Sequence, residues 1–344
     1  MERMIDDAPC QLCMTHSTLV TRVFEAAMKR RGVPAGDICS LSRRGAPFRG
    51  DGLRIDDISD EMEECFRKFD RKGYQAVSRR LDEILYGLTG GRPFEAHVPH
   101  ANKIIYQELI LHRDCAAYSY LEEGFTSMAW SGRRNARSSL PKILRSRARS
   151  WRVGARYCFT RPMFDVSLPH YRAAHAISSL AFQGMPGRVD VAAHVPPLPV
   201  GTPPGNTYII LDAIYLFQGI RWEDYEDALV AAVLASDLPA GELLIKFHSA
   251  DAGAREKFDS LRRRLLGGNV PPLRMLSGDF PVEENLTGHD LLLFAVTALG
   301  YYAALAGTRV ACFAGRIKGL SLPSLIADGK LPQDFKRIAG LAES

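Results

Sequence analysis

The sequence predicts an α/β protein built from two successive Rossmann-like domains, and three observations carry that expectation. The chain has 344 residues, more than one core of ordinary size holds. Short apolar runs alternate with amphipathic stretches along most of it, the pattern of parallel strands covered by helices. Near residues 195 to 205 the stretch VPPLPVGTPPGN concentrates five prolines, and beyond it the alternation starts afresh. The expected division is 1–200 and 201–325, with a C-terminal helix at 326–344.

In the first half, PCQLCMTH is short and apolar and reads as a strand. The following THSTLVTRVFEAAMKRRGVP places Leu19, Val23, Ala26 and Ala27 at helical spacing. Ser17 or Thr18 can cap that helix, and Gly32 with Pro34 stops it. DICSLS is a brief strand and RRGAPFRGDGLRIDD a polar loop. A long amphipathic helix is expected from about Asp60 to Leu88, interrupted near Lys72-Gly73 and ended by Gly90-Gly91. RPFEAHVPH then reads as a strand, ANKIIYQELILHRD as a helix, and AAYSYLEEG as a strand that runs straight into two carboxylates.

HAISSLAFQG supplies one more strand and turn before the prolines. Beyond them TYIILDAIYLF, ELLIKFH, PPLRMLSG, LLLF and RVACFAG read as strands. WEDYEDALVAAVLAS, AREKFDSLRRRLLGG and VTALGYYAALAG read as helices, and LPQDFKRIAGLA as a last short one. There is no internal repeat, no G-x-G-x-x-G and no P-loop.

Apolar residues make up 46% and charged residues 24% of the chain, values of a soluble globular protein. LLLFAVTALGYYAALA is too short for a bilayer span, and MERMIDDAPCQLC has acids where a secretory signal would be apolar. A cytoplasmic location follows as the expectation. Seven scattered cysteines argue against a disulfide framework. Cys10 and Cys13 form a C-x-x-C pair inside an apparent buried strand, where structural thiols are the ordinary reading.

The candidates for chemistry stand at the carboxyl ends of expected strands, where open parallel sheets hold their ligands. Glu122-Glu123-Gly124 ends one strand in the first half. Lys246-Phe247-His248 ends another in the second, although a lone His at such a place is more commonly a solvated surface residue. If the halves face each other, a carboxylate and a His-Lys pair share one cleft, which suits transfer from a phosphate-bearing donor to a hydroxyl. Thr297 falls where a strand turns into a helix, so it either holds a phosphate or caps the helix and does nothing more. Glu283, in FPVEENL, is placed in a loop between strands and can accept from ribose hydroxyls, or is a solvated loop acid.

Taken together and in this order, these elements resemble the bacterial sialyltransferases with two facing Rossmann-like domains, the GT-B fold, and most closely the capsular polysialyltransferase and lipooligosaccharide sialyltransferase group. That family's Asp/Glu-Asp/Glu-Gly is matched by Glu122-Glu123-Gly124, and its strand ending in His-Pro by Lys246-Phe247-His248-Ser249. Its Ser/Thr-x-Leu at a late helix is matched by Thr297-Ala298-Leu299. The opening CMTHSTLVTRVFEAA, with His16, resembles the family's first strand and helix, whose connecting loop lies in the cleft. Ser249 departs from the usual proline, and Val296 stands where a second hydroxyl is common.

The resemblance implies an inverting, metal-independent transfer of sialic acid or a related acidic sugar from a CMP-activated donor to a glycan acceptor in capsule or surface polysaccharide synthesis, with no further cofactor. Glu122 would be the general base and Glu123 would orient the loop or acceptor. His248 would meet the donor phosphate, with Lys246, Thr297 and His16 on the donor side and Glu283 at the ribose. Other donors remain open: CMP-linked Kdo or a UDP-sugar.

From Arg133 to Arg161 there are ten Lys or Arg and no acid. Such a field concentrates anions, so Arg133, Arg134 and Arg137, with Gly124, are expected to hold an anionic glycan acceptor. An anionic membrane leaflet is the other expected partner, which would put the protein at the inner face of the cytoplasmic membrane. A non-catalytic polyanion-binding protein is the rival class, but the segment has few stacking aromatics and nucleic acid is not an expected partner.

Overall fold

In the computed structural model of the chain, the residues described are 8–43, 52–128, 140–156, 163–196, 331, 335 and, apart from 197–200, 202, 213, 249–250, 269 and 279, the run up to 327. The chain divides between Pro196 and Pro197 into two compact units. Each is a parallel sheet with helices, so the architecture is α/β with two Rossmann-like units, the pair of which a GT-B chain is composed.

The first unit begins with β1 (Cys10–Thr15), whose six residues are all buried. Helix α1 (Thr18–Arg31) follows because the Ser17 side chain accepts from the Val20 N–H, and it ends because Gly32 takes φ 66° and closes the last turn onto Lys29 and Met28 carbonyls. Strand β2 (Ile38–Ser42) and the short edge strand β3 (Gly52–Arg54) come next. The expected long helix is two helices, α2 (Asp56–Lys68) and α3 (Arg71–Thr89). Its break falls at Phe69-Asp70, slightly before the glycine, because Phe69 adopts a left-handed conformation and Asp70 caps α3 through the Gly73 N–H. A side chain at residue 73 would run into that carboxylate, which is why glycine stands there.

Strand β4 (Phe94–Val98), helix α4 (Ile104–Ile110), strand β5 (Cys115–Leu121), the single turn α5 (Phe125–Met128) and helix α6 (Leu140–Val153) continue the unit. Strand β6 (Tyr171–Ala176), which starts four residues before the expected strand, and β7 (Arg188–Asp190) complete it. The order is β3-β2-β1-β4-β5-β6-β7, all parallel, so the strand order reverses between β1 and β4.

The two faces of this sheet differ in chemistry. Leu12, Met14, Phe94, Ala96, Val98, Tyr118, Tyr120, Ala174 and Ala176 join one large apolar core with α2, α3 and α4. The alternate residues face the other way, as strand periodicity requires, and there Cys13 and Leu121 pack with α1 through Val20, Val23 and Phe24. Beside that smaller core lies a buried polar layer of Gln11, Glu95, His97, Ser119 and His175. Glu95 pairs with Arg31 and Arg172 and accepts from the Ser119 hydroxyl at 3.0 Å. His97 Nε2 lies 2.9 Å from Gln11 Oε1, while neither ring nitrogen of His175 has a hydrogen-bond partner among the described residues.

The second unit runs β8 (Thr207–Leu211), α7 (Ile214–Phe217), α8 (Trp222–Ala235), β9 (Leu243–Phe247), α9 (Ala254–Leu265), β10 (Leu273–Met275), α10 (Val282–Asn285), β11 (Leu291–Phe294), α11 (Ala298–Leu305), β12 (Arg309–Cys312) and α12 (Leu322–Ala327). Its order, β10-β9-β8-β11-β12, is again parallel and reverses between β8 and β11. Tyr208, Ile210, Leu244 and Leu292 pack with Val282, Leu286 and Ala303 on one face. The expected terminal helix at 326–344 lies almost wholly outside the described residues.

Candidate functional site

The point where strand order reverses leaves a crevice at the carboxyl edge of an open parallel sheet. In the first unit that point lies between β1 and β4, and each strand is followed there by a histidine, His16 and His100. Strand β5, next to β4, is followed by Glu122 and Glu123. Glu123 Oε2 lies 3.5 Å from His16 Nε2 and 3.7 Å from His100 Nε2. The Tyr106 hydroxyl on α4 stands 3.5 Å from His16 Nδ1, and its ring meets His100 edge to face at 4.8 Å. Two imidazoles, a phenol and a carboxylate are thus gathered from four separate places in the chain.

The two adjacent glutamates, both past the end of β5, have different partners. Glu122 is fully buried, and its Oε2 accepts from the backbone N–H groups of Ile177 and Ser178 at 2.7 and 2.9 Å. It therefore ties the end of β5 to the loop after β6. Glu123 is held by its own N–H, which donates to the Ser127 hydroxyl at 2.9 Å. Gly124 turns the chain immediately afterwards with φ 108°, a conformation that a side chain would disfavour. The structure thus separates the pair into one inward carboxylate and one that faces histidines.

In the second unit the reversal point lies between β8 and β11. Asp212 follows β8 directly, and its carboxylate accepts from Ile214 N–H at 3.1 Å and from Val296 N–H at 2.6 Å, so it bridges the ends of both strands. Burial pushes its pKa up to about 6, against the opposing pull of those backbone donors. Thr297 caps α11, its hydroxyl accepting from Leu299 N–H at 3.3 Å. The capping role, one of the two readings open for this residue, is therefore present.

His248 follows β9 and is exposed. Lys246 donates through Nζ to the Phe280 carbonyl at 2.5 Å, which anchors the segment leading into α10. Glu283 occupies the first turn of α10, so its expected loop is in fact a short helix begun at Pro281. Below them Asp251 accepts from Lys257 at 2.6 Å and from the Tyr215 hydroxyl, and Lys257 also lies over the rings of Tyr215 and Trp222. Arg133, Arg134 and Arg137 lie outside the described residues. Among the described residues no group of three or more His, Cys, Asp or Glu is placed to hold a metal ion.

Sequence reasoning missed His100, Tyr106 and Asp212. His100 and Asp212 carried the signal that drew attention to Glu122: a polar residue just past a short apolar run. Tyr106 had no such signal, since it sits within a helix and reaches the cluster only through tertiary packing.

No family model matches the sequence, and no curated protein matches it. Among solved structures the chain is similar to the ADP-heptose lipopolysaccharide heptosyltransferase II of E. coli, with 12% identity and a TM-score of 0.42 over 88% of this chain and 84% of that one. It is also similar to S. aureus MnaA in its co-structure with UDP, with 10% identity and a TM-score of 0.44 over 88% of this chain and 79% of that one. Neither likeness bears on the side chains described above.

Proposed function

We propose that the chain is a glycosyltransferase that moves an acidic sugar, sialic acid or a relative, from a CMP-activated donor to a glycan acceptor with inversion, and that Glu123 is its general base in place of Glu122. The observation that carries this reading is the split of the pair. A base must reach the proton it removes; Glu122 spends an oxygen on two backbone donors, whereas Glu123 lies beside His16 and His100 at the crevice of the first sheet.

In this scheme the Glu123 carboxylate takes the proton of the acceptor hydroxyl as that oxygen bonds to the anomeric carbon. The bond from that carbon to the donor phosphate breaks, and CMP leaves with the electron pair. His16 and His100 orient Glu123. His248 meets the phosphate, the N-terminal end of α11 beyond Thr297 offers it backbone donors, and Glu283 accepts from the ribose. Lys246 acts indirectly, by holding the segment before Glu283 through the Phe280 carbonyl. The choice of a CMP-linked donor rests on the motif resemblance.

The test is incubation with CMP-sialic acid and sialylated and neutral oligosaccharides, read by mass spectrometry, beside a thermal-shift panel of CMP, CTP and UDP. A sialyl mass increment lost by about 10²- to 10⁴-fold in Glu123→Gln, with CMP still stabilising the variant, is the expected result. Unimpaired transfer by Glu123→Gln overturns the base assignment. Stabilisation by UDP and not CMP moves the donor to the UDP-sugars.

A further inference from the structure

Helix α6 shows a feature that the transferase reading does not use. Its inward side is ordinary: Ser146, Ser150 and Val153 are buried, and Arg149 stacks over Phe66 and Phe69 at 5.5 and 4.6 Å. Its outward side is apolar. Leu140, Leu144 and Trp151 are 67, 57 and 84% exposed, and at 3.6 residues per turn they fall within roughly 40° of one another around the axis. Exposed Arg147 borders this stripe on one side; on the other, exposed Arg152, whose guanidinium also lies over the Phe69 ring at 5.4 Å, and exposed Arg145 stand roughly 80° and 100° further around the axis. The helix contains no acidic residue.

A soluble surface scatters its exposed apolar residues; a stripe of two leucines and a tryptophan between arginines needs a covering. The covering must be apolar at its centre and negative at its margins. A hydrated polyanionic glycan satisfies the arginines but offers Leu140 and Leu144 nothing. The interface of an anionic bilayer satisfies both, since acyl chains take the leucines, tryptophan favours the headgroup boundary, and lipid phosphates take the guanidinium groups.

We propose that α6 lies in the plane of an anionic lipid surface, with Leu140, Leu144 and Trp151 inserted at the headgroup boundary. This stands independently of the transferase reading. No described helix is long and apolar enough to cross a membrane, so the contact is one of lying on the surface.

The full-length protein is sedimented with vesicles of phosphatidylglycerol and phosphatidylcholine, and with phosphatidylcholine alone. Binding to the anionic vesicles is expected, with a blue shift of tryptophan emission that Trp151→Phe removes. Each arginine lost from the set Arg145→Gln, Arg147→Gln and Arg152→Gln should lower the partition coefficient by about fivefold. Leu140→Ser with Leu144→Ser should abolish the residual binding at high salt. These side chains are more than half exposed, so an unchanged thermal midpoint certifies the fold, and the single change Trp151→Ser serves if the double variant fails that control. Equal binding to both vesicle types, undiminished binding by the variants, or a missing Trp151 shift overturns the proposal. Capture by soluble heparin without vesicle binding also overturns it and assigns the helix to a soluble polyanion.

Discussion

Acidification should weaken the first unit through the histidines of its buried polar layer, and His175→Leu should relieve part of that loss. Burial, reinforced by Arg31 and Arg172, holds His97 down to about 3, and burial together with neighbouring His97 does the same for His175. Both folded-state values lie below the unfolded value of about 6.5. The stability they contribute is therefore fully present above pH 6.5 and is lost as pH falls toward 3, because the unfolded chain binds protons that the folded one refuses. Between pH 7 and pH 5 the loss is about 2 kcal/mol for each imidazole, about 4 kcal/mol for both. His175 is the better target because neither of its ring nitrogens is hydrogen-bonded among the described residues, so leucine removes the titration without orphaning any of them. Urea denaturation read by hydrogen exchange in β4 and β6 peptides isolates this unit. From pH 7 to pH 5 these two imidazoles should cost wild type about 4 kcal/mol, and the one that remains in His175→Leu about half of that. Equal pH slopes in the two proteins would refute the reasoning.

The second unit should respond in the opposite direction. The folded pKa of Asp212, about 6, lies above the ordinary aspartate value of 3.8, so its contribution is fully present below 3.8 and lost as pH rises through 6. Hydrogen exchange in β8 and β11 peptides should show a gain of about 1 kcal/mol from pH 7 to pH 5 that Asp212→Asn eliminates; a gain that persists in the variant rules out Asp212 as its source. Glu122→Leu leaves the Ile177 and Ser178 N–H groups without their carboxylate, at a cost of about 1–3 kcal/mol each, whereas Glu122→Gln keeps an acceptor oxygen and should cost far less. Equal thermal midpoints for those two variants would remove the tethering role assigned to Glu122.

The alternating pattern sufficed for the fold class because each strand must bury its apolar faces and each helix one stripe, whatever lies elsewhere in the chain. Local chemistry likewise announced the Ser17 cap, the Gly32 stop and the placement of Glu122, Glu123 and His248 at strand ends. The break between α2 and α3 was misplaced by a few residues because an Asp70 cap and a left-handed Phe69 outweighed the more visible glycine.

What the sequence by itself determined was which residues stand at the carboxyl edges of the two sheets, since that depends only on where each strand ends. Which of the two adjacent glutamates turns inward, and which meets histidines from β1 and β4, was decided by tertiary structure alone. Residues 16, 100, 106 and 123 come together only when strand order and helix packing are set, and side-chain direction at a strand end depends on the donors that neighbouring loops present, here the N–H groups of Ile177 and Ser178.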